Sequence, residues 1–157
     1  MLGQSSETAS RSSSKEFITF HVGGQTFCID IIAVREIRGW TPATPLPHAP
    51  SFVRGVINLR GSILPVVDLA ARFGLAVKEP TARHAGVVVQ SNGRTVGLLV
   101  EAVSNILMMD PDTIQATPEV ATDTSRTFIQ GIVAADQEII SVLIVDNVLT
   151  ENIALAA

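Results

Sequence analysis

A chain of 157 residues with a formal charge of -4 has room for one domain or two very small ones. With only 11 basic side chains against 15 acidic ones it is a poor match for a nucleic-acid backbone, whose affinity comes from clustered Lys and Arg. Hydrophobic residues make up 46% but aromatics only 4%, with no Tyr, so the core must be built from Val, Ile, Leu and Ala, a composition that favours strands. The single cysteine, Cys28, excludes an intramolecular disulfide, and no Cys/His pair stands at metal spacing. Apolar runs such as Ile139 to Val145 fall far short of the roughly 20 residues that cross a bilayer. The expectation is a soluble cytoplasmic protein with no metal, no cofactor and no direct membrane insertion.

Met1 to Ser14 contains six serines and almost no large apolar side chain, which predicts a disordered tail. From residue 15 to 157 the pattern predicts a folded domain. Ile18, Phe20 and Val22 alternate as the apolar face of a half-buried strand. Gly23-Gly24 turns the chain into a second strand with Phe27, Ile29 and Ile31 inward and Thr26, Cys28 and Asp30 on the other face. Pro42, Pro45, Pro47 and Pro50 mark a loop, whereas Pro65, inside an apolar run, marks an edge strand or a bulge. Asp68 caps a helix of about two turns that ends at Gly74, and a second terminal helix is predicted from Asp146 to Ala157 with Val148, Leu149, Ile153 and Leu155 at helical spacing.

The chain can be laid over itself. The stretch from Phe17 to Ile37 matches the stretch from Gly86 to Ile106 at a constant shift of 69, and Phe52-Val-Arg-Gly55 matches Phe128-Ile-Gln-Gly131 at a shift of 76. The halves 15–82 and 83–157 therefore each read as about five short, mostly antiparallel strands closed by a helix, which points to two small barrels related by duplication.

Catalytic chemistry is not evident. His21 falls on the outward face of a strand, His48 in the proline loop and His84 at the start of a strand, none beside a nucleophile. Cys28 has no basic neighbour to lower its pKa and reads as a packing residue. Asp68 reads as a cap and Asp110-Pro111-Asp112 as a turn, so no pair of carboxylates is set up for acid–base work. A binding or scaffolding module is the simplest reading. The alternative is a small barrel that binds a metabolite or an oligonucleotide, although so few aromatics leave little for base stacking.

The string Gly55-Val-Ile-Asn58-Leu-Arg60-Gly61-Ser-Ile-Leu-Pro65-Val-Val-Asp68-Leu69 closely resembles the signature of CheW-like domains, the chemotaxis coupling proteins. The opening strand Phe17 to Val22, the segment from Asp30 to Arg38 and the Phe-x-x-Gly before the signature resemble the family in the same order. This resemblance implies an all-β fold of two five-stranded SH3-like barrels. It also implies a non-enzymatic adaptor that links the cytoplasmic tip of a transmembrane chemoreceptor to the regulatory domain of the CheA histidine kinase, recruited to membrane-associated receptor arrays. By the same resemblance Val34, Glu36, Gly55 and Arg60 fall where the family places receptor-coupling residues. In the second half Glu36 and Arg60 are matched by Asn105 and Asp136, so the barrel does not itself demand an acid and an arginine. For Gly55 and Gly61 turn or bulge geometry is the stronger reading. Trp40 reads as core or interface anchor, and Met108 and Met109 as core. No residue is assigned to the kinase contact.

Overall fold

The computed structural model describes residues 14–116, 127–135 and 137–149, so the serine-rich tail, apart from Ser14, and the last part of the predicted terminal helix lie outside the described residues. Ten strands follow in order: β1 (Lys15–Val22), β2 (Gln25–Asp30), β3 (Val34–Gly39), β4 (Val53–Leu59), β5 (Ser62–Asp68), β6 (Ala85–Ser91), β7 (Arg94–Val100), β8 (Ala102–Met109), β9 (Ile129–Ala135) and β10 (Glu138–Leu143). Short helices α1 (Leu69–Arg72) and α2 (Val145–Val148) follow β5 and β10. The strands form two five-stranded sheets, in the orders β8-β1-β2-β10-β9 and β3-β6-β7-β5-β4. Each curls into an SH3-like barrel, called here the first and second barrel.

The two orders are the same once the duplicated strands are exchanged, β1 for β6, β2 for β7 and so on. Each barrel takes two opening strands from one half of the chain and three closing strands from the other. This differs from the reading of one barrel per half. The sequence repeat records which strands are equivalent, and nothing in it distinguishes pairing within a half from pairing across halves. The exchange also explains the parallel pairs, β10 with β2 and β5 with β7. Their strands come from different halves, so no helical crossover is required.

Local chemistry fixes the hairpins. Gly23 and Gly24 have φ of 58° and 77°, Asn92 and Gly93 of 52° and 77°, the paired left-handed geometry of two-residue turns that matches the twist of the flanking strands. β1 and β2 are not half-buried as their alternation predicts. Phe17, Thr19 and Cys28 on the second face are buried too, because both strands lie inside their sheet and face a barrel interior on one side and the other barrel on the opposite side. Pro65 lies in an interior strand, not an edge or a bulge. Opposite it, Val56 spends its N–H and C=O on Thr44, at 2.9 Å each, and pairing of β5 with β7 starts only at Val66, so no partner misses the proline N–H. Asp68 caps α1 as predicted, accepting from the amides of Ala70 (3.1 Å) and Ala71 (3.4 Å), but the helix is one turn long, not two. α2 starts one residue earlier than predicted. Its cap position is Ile144, with no side-chain cap bond, and Asp146 sits inside the first turn, where its carboxylate accepts from the Ser91 hydroxyl.

The main core lies between the barrels, where Ile18, Phe20, Phe27 and Ile29 meet Val87, Val89, Leu98 and Val100 with Leu69 and Val148. Each such side chain contributes about 1.5–3 kcal/mol of burial, and together they bind the two barrels into one body. Each barrel also has its own interior: Phe17, Cys28, Val133, Ile140 and Val142 in the first, and Leu59, Leu64 and Val88 in the second. The second is lined by smaller side chains at two positions. A cavity there is lined by Trp40, Ile57, Gly86, Val88, Gly97 and Leu99, and Gly86 and Gly97 hold the positions that Phe17 and Cys28 fill in the first barrel.

Candidate functional site

β3 is an edge strand of the second barrel, and its register against β6 slips between Val34 and Glu36. Glu36 stands on this bulged edge. Across the seam, Arg60 sits at the tip of the β4–β5 hairpin with φ of 51°, followed by Gly61 at 90°, and the turn is tied by the Gly61 amide donating to Asn58 Oδ1 at 2.9 Å. A non-glycine residue in the left-handed region is strained. Arg60 is therefore a turn residue, and its side chain reaches back to β3. Its two terminal nitrogens donate to the two Glu36 oxygens at 3.0 and 3.4 Å, the forked geometry that suits guanidinium to carboxylate. Arg38 Nη1 stands 3.8 Å from the same carboxylate. The Arg60 fork, with Arg38 and Arg35 behind it, holds the Glu36 carboxyl below the usual glutamate value. The Arg60 side chain is 70% exposed, so the pair is within reach of a partner.

Val34 is half-buried and, like Val103, its counterpart in the repeat, packs against the core between the barrels. Gly55 is different in kind. It is buried, its φ is 142°, and an added Cβ would overlap the Thr44 carbonyl. Gly131 stands in the same relation to Gln115, and the bridges Thr44–Val56 and Gln115–Ile132 close the two barrels in the same way. Gly55 therefore owes its identity to close backbone approach. Of the four residues singled out, the structure joins Glu36 to Arg60 directly and places Val34 against the core between the barrels. Gly55 lies behind the site as a backbone device.

Two arginine arrangements are missed by sequence reasoning. Arg54 donates from Nε to Asp68 Oδ2 at 3.0 Å, and its Nη2 stands 3.0 Å from the same oxygen, with the guanidinium 6.0 Å from the Trp40 ring. The cap of α1 is thus also a mostly buried ion pair. Trp40 is half-buried at the mouth of the second barrel. Arg72 at the end of α1 lies between Phe52 (4.1 Å) and Phe128 (4.8 Å), the two aromatic residues related by the repeat, and burial lowers its pKa. A spacing of 14 residues across a hairpin could have flagged Arg54 and Asp68, but nothing in the sequence pairs Arg72 with both rings.

Most of the residues considered for chemistry are buried or hydrogen-bonded within the fold. Cys28 is buried and its thiol is pushed up to about 12 by desolvation, which keeps it protonated and unreactive. His84 is buried and its Nδ1 accepts from the Thr81 amide at 2.9 Å. His21 Nδ1 lies 3.1 Å from the Thr26 hydroxyl, and His48 is exposed in the proline loop. Asp110 caps a single 3-10 turn, as its Asp-Pro-Asp context predicts. Met109 packs in the first barrel, whereas Met108 is 67% exposed and is not core. Among the described residues no helix is long and apolar enough to cross a membrane.

Residues 16–152 match the family model for the CheW-like domain. The chain is 54% identical to a chemotaxis protein CheW of Rhizobium meliloti (strain 1021) over 134 residues, covering 85% of this chain and 86% of that protein. It is 32% identical to a chemotaxis protein CheW of Klebsiella aerogenes over 150 residues, covering 94% and 89%. Its fold is similar to the crystal structure of the scaffolding protein TtCheW from Thermoanaerobacter tengcongensis, with a TM-score of 0.80 and 31% identity, covering 88% of this chain and 89% of that one.

Proposed function

The chain belongs to the CheW-like domain family, and from that premise we propose that it is a non-enzymatic chemotaxis adaptor coupling the cytoplasmic tip of a chemoreceptor to the regulatory domain of the CheA histidine kinase. The observation that carries this reading is the Glu36–Arg60 pair on the seam of the second barrel. It is charged, forked, exposed and held on a strained turn, and Asn105 and Asp136 stand at the matching positions of the repeat. A receptor tip built of amphipathic helices would set apolar side chains against Val34 and polar ones against Arg60. The kinase regulatory domain, being similar in fold, would dock on barrel ends. In this reading the protein works in the cytoplasm at membrane-associated receptor arrays without entering the bilayer.

A ternary pull-down tests it. Immobilised receptor tip should retain this protein, and the CheA regulatory domain should be retained only when this protein is present. Retention of the kinase domain without it, or of neither partner with it, would overturn the adaptor role. Arg60→Asn, which suits the left-handed turn better, should keep or raise Tm while weakening receptor binding.

A further inference from the structure

Around Glu36 the charge is lopsided. Arg35, Arg38 and Arg60 meet one carboxylate, a local excess of two positive charges on a chain whose formal charge is -4. Glu36 engages the fork of Arg60 and lies 3.8 Å from Arg38, while the Arg35 guanidinium is held by the neutral Gln90 side chain on β6. Three guanidinium groups present up to five donors each, many more than one glutamate and one glutamine accept. β6, the strand paired with β3, carries no acidic residue. The repeat supplies an internal control: the matching positions hold Ser104, Leu107 and Asp136, so a barrel of this kind forms without any of the three arginines.

Resting on the adaptor reading, we infer that Arg35, Arg38 and Arg60 form a carboxylate-receiving rim beside the apolar seam, and that the receptor segment docking there carries Asp or Glu on its contacting face. Charge complementarity is the argument: the basic rim draws an acidic helix, while the chain's net negative charge repels that helix from the rest of its surface and so orients docking. Arginine suits this task because it stays charged and binds carboxylates through two parallel donors.

The test measures the Kd of the chemoreceptor cytoplasmic tip for the full chain between 50 and 300 mM NaCl, in the wild type, in Arg35→Gln and in Arg35→Gln/Arg38→Gln, with thermal unfolding of each. The expected result is a wild-type Kd about tenfold weaker at high salt, and a double variant several-fold weaker at low salt with a flatter salt dependence and an unchanged Tm. The exposed single variant should show the same trend at about half the size, so a folding defect in the double variant would not mask it. A salt-independent wild-type Kd, or tighter binding by the neutralised variants, would overturn the rim while leaving the adaptor reading in place. If the wild-type chain does not bind the tip at any salt concentration, the adaptor reading fails and the inference with it.

Discussion

The two barrels share a backbone and differ in what they hold. Both close on a one-residue bridge, both need a glycine beneath it, and both run their strands in one order. Yet the first barrel fills its interior with Phe17 and Cys28 where the second has Gly86 and Gly97. The first also has Gln130 and Ile144 where the second has the Arg54–Asp68 pair, and Asn105 and Asp136 where the second has Glu36 and Arg60. What recurs in both is required by the fold. What occurs once was free to change, and the charged features occur once. Asn105 shows the bland outcome: it takes no arginine and instead bonds inward to Thr19, with side-chain oxygens 2.6 Å apart.

The largest effects should fall on the shared features. Gly55→Ala and Gly131→Ala each drive a Cβ into a carbonyl and should each cost about 3 kcal/mol in urea unfolding; a harmless Gly131→Ala would break the equivalence of the bridges. Next comes the buried ion pair of the second barrel. Arg54→Gln strands the Asp68 carboxylate and should cost about 2–3 kcal/mol, whereas Arg54→Gln/Asp68→Ile, which copies the first barrel, should recover most of that loss. A double variant as unstable as the single one would show that Asp68 matters chiefly as the cap of α1. Smaller still, Gly86→Ala places a Cβ where nothing stands within 4 Å and should leave stability unchanged or raise it by up to about 1 kcal/mol.

The smallest effects are in titration. Arg60→Ala should raise the Glu36 carboxyl toward its ordinary 4.5, as read by carbon NMR, with no resolvable change in Tm at neutral pH. Glu36 stays ionised in the folded protein at pH values where the unfolded chain has taken up its proton. Its contribution is thus present above 4.5 and fades as pH falls through the lower folded value. Cys28 runs the other way. The folded chain keeps its thiol proton up to about 12 against 9.0 for an ordinary thiol, so its contribution is intact below 9.0 and is lost as pH rises across that interval. In the folded protein the thiol should resist alkylation at pH 8, and rapid labelling would show that the first barrel opens.

Much of the fold is legible in the sequence because hairpin turns and alternation are local. Gly23-Gly24, Asn92-Gly93 and the Asp68 cap each announce themselves within four residues. The strand exchange does not, because pairing β1 with β8 rather than β3 is decided by tertiary packing. The burial of both faces of β1 and β2 follows from that exchange and is hidden with it. At the site, Glu36 and Arg60 stand out as charges without counterparts in the repeat, but their fork depends on a β3 bulge and a left-handed turn that appear only in the folded chain. For Gly55 the sequence favours geometry over contact, but the reason, the Thr44 carbonyl against it, is visible only in the fold.

The measurement that bears most directly on a charge cluster set apart for partner binding is paired titration and unfolding of Arg60→Ala. Calorimetric titration with the receptor tip should show affinity at least tenfold below wild type, with Tm unchanged. Undiminished affinity, or loss of binding only in step with loss of folded protein, would contradict it.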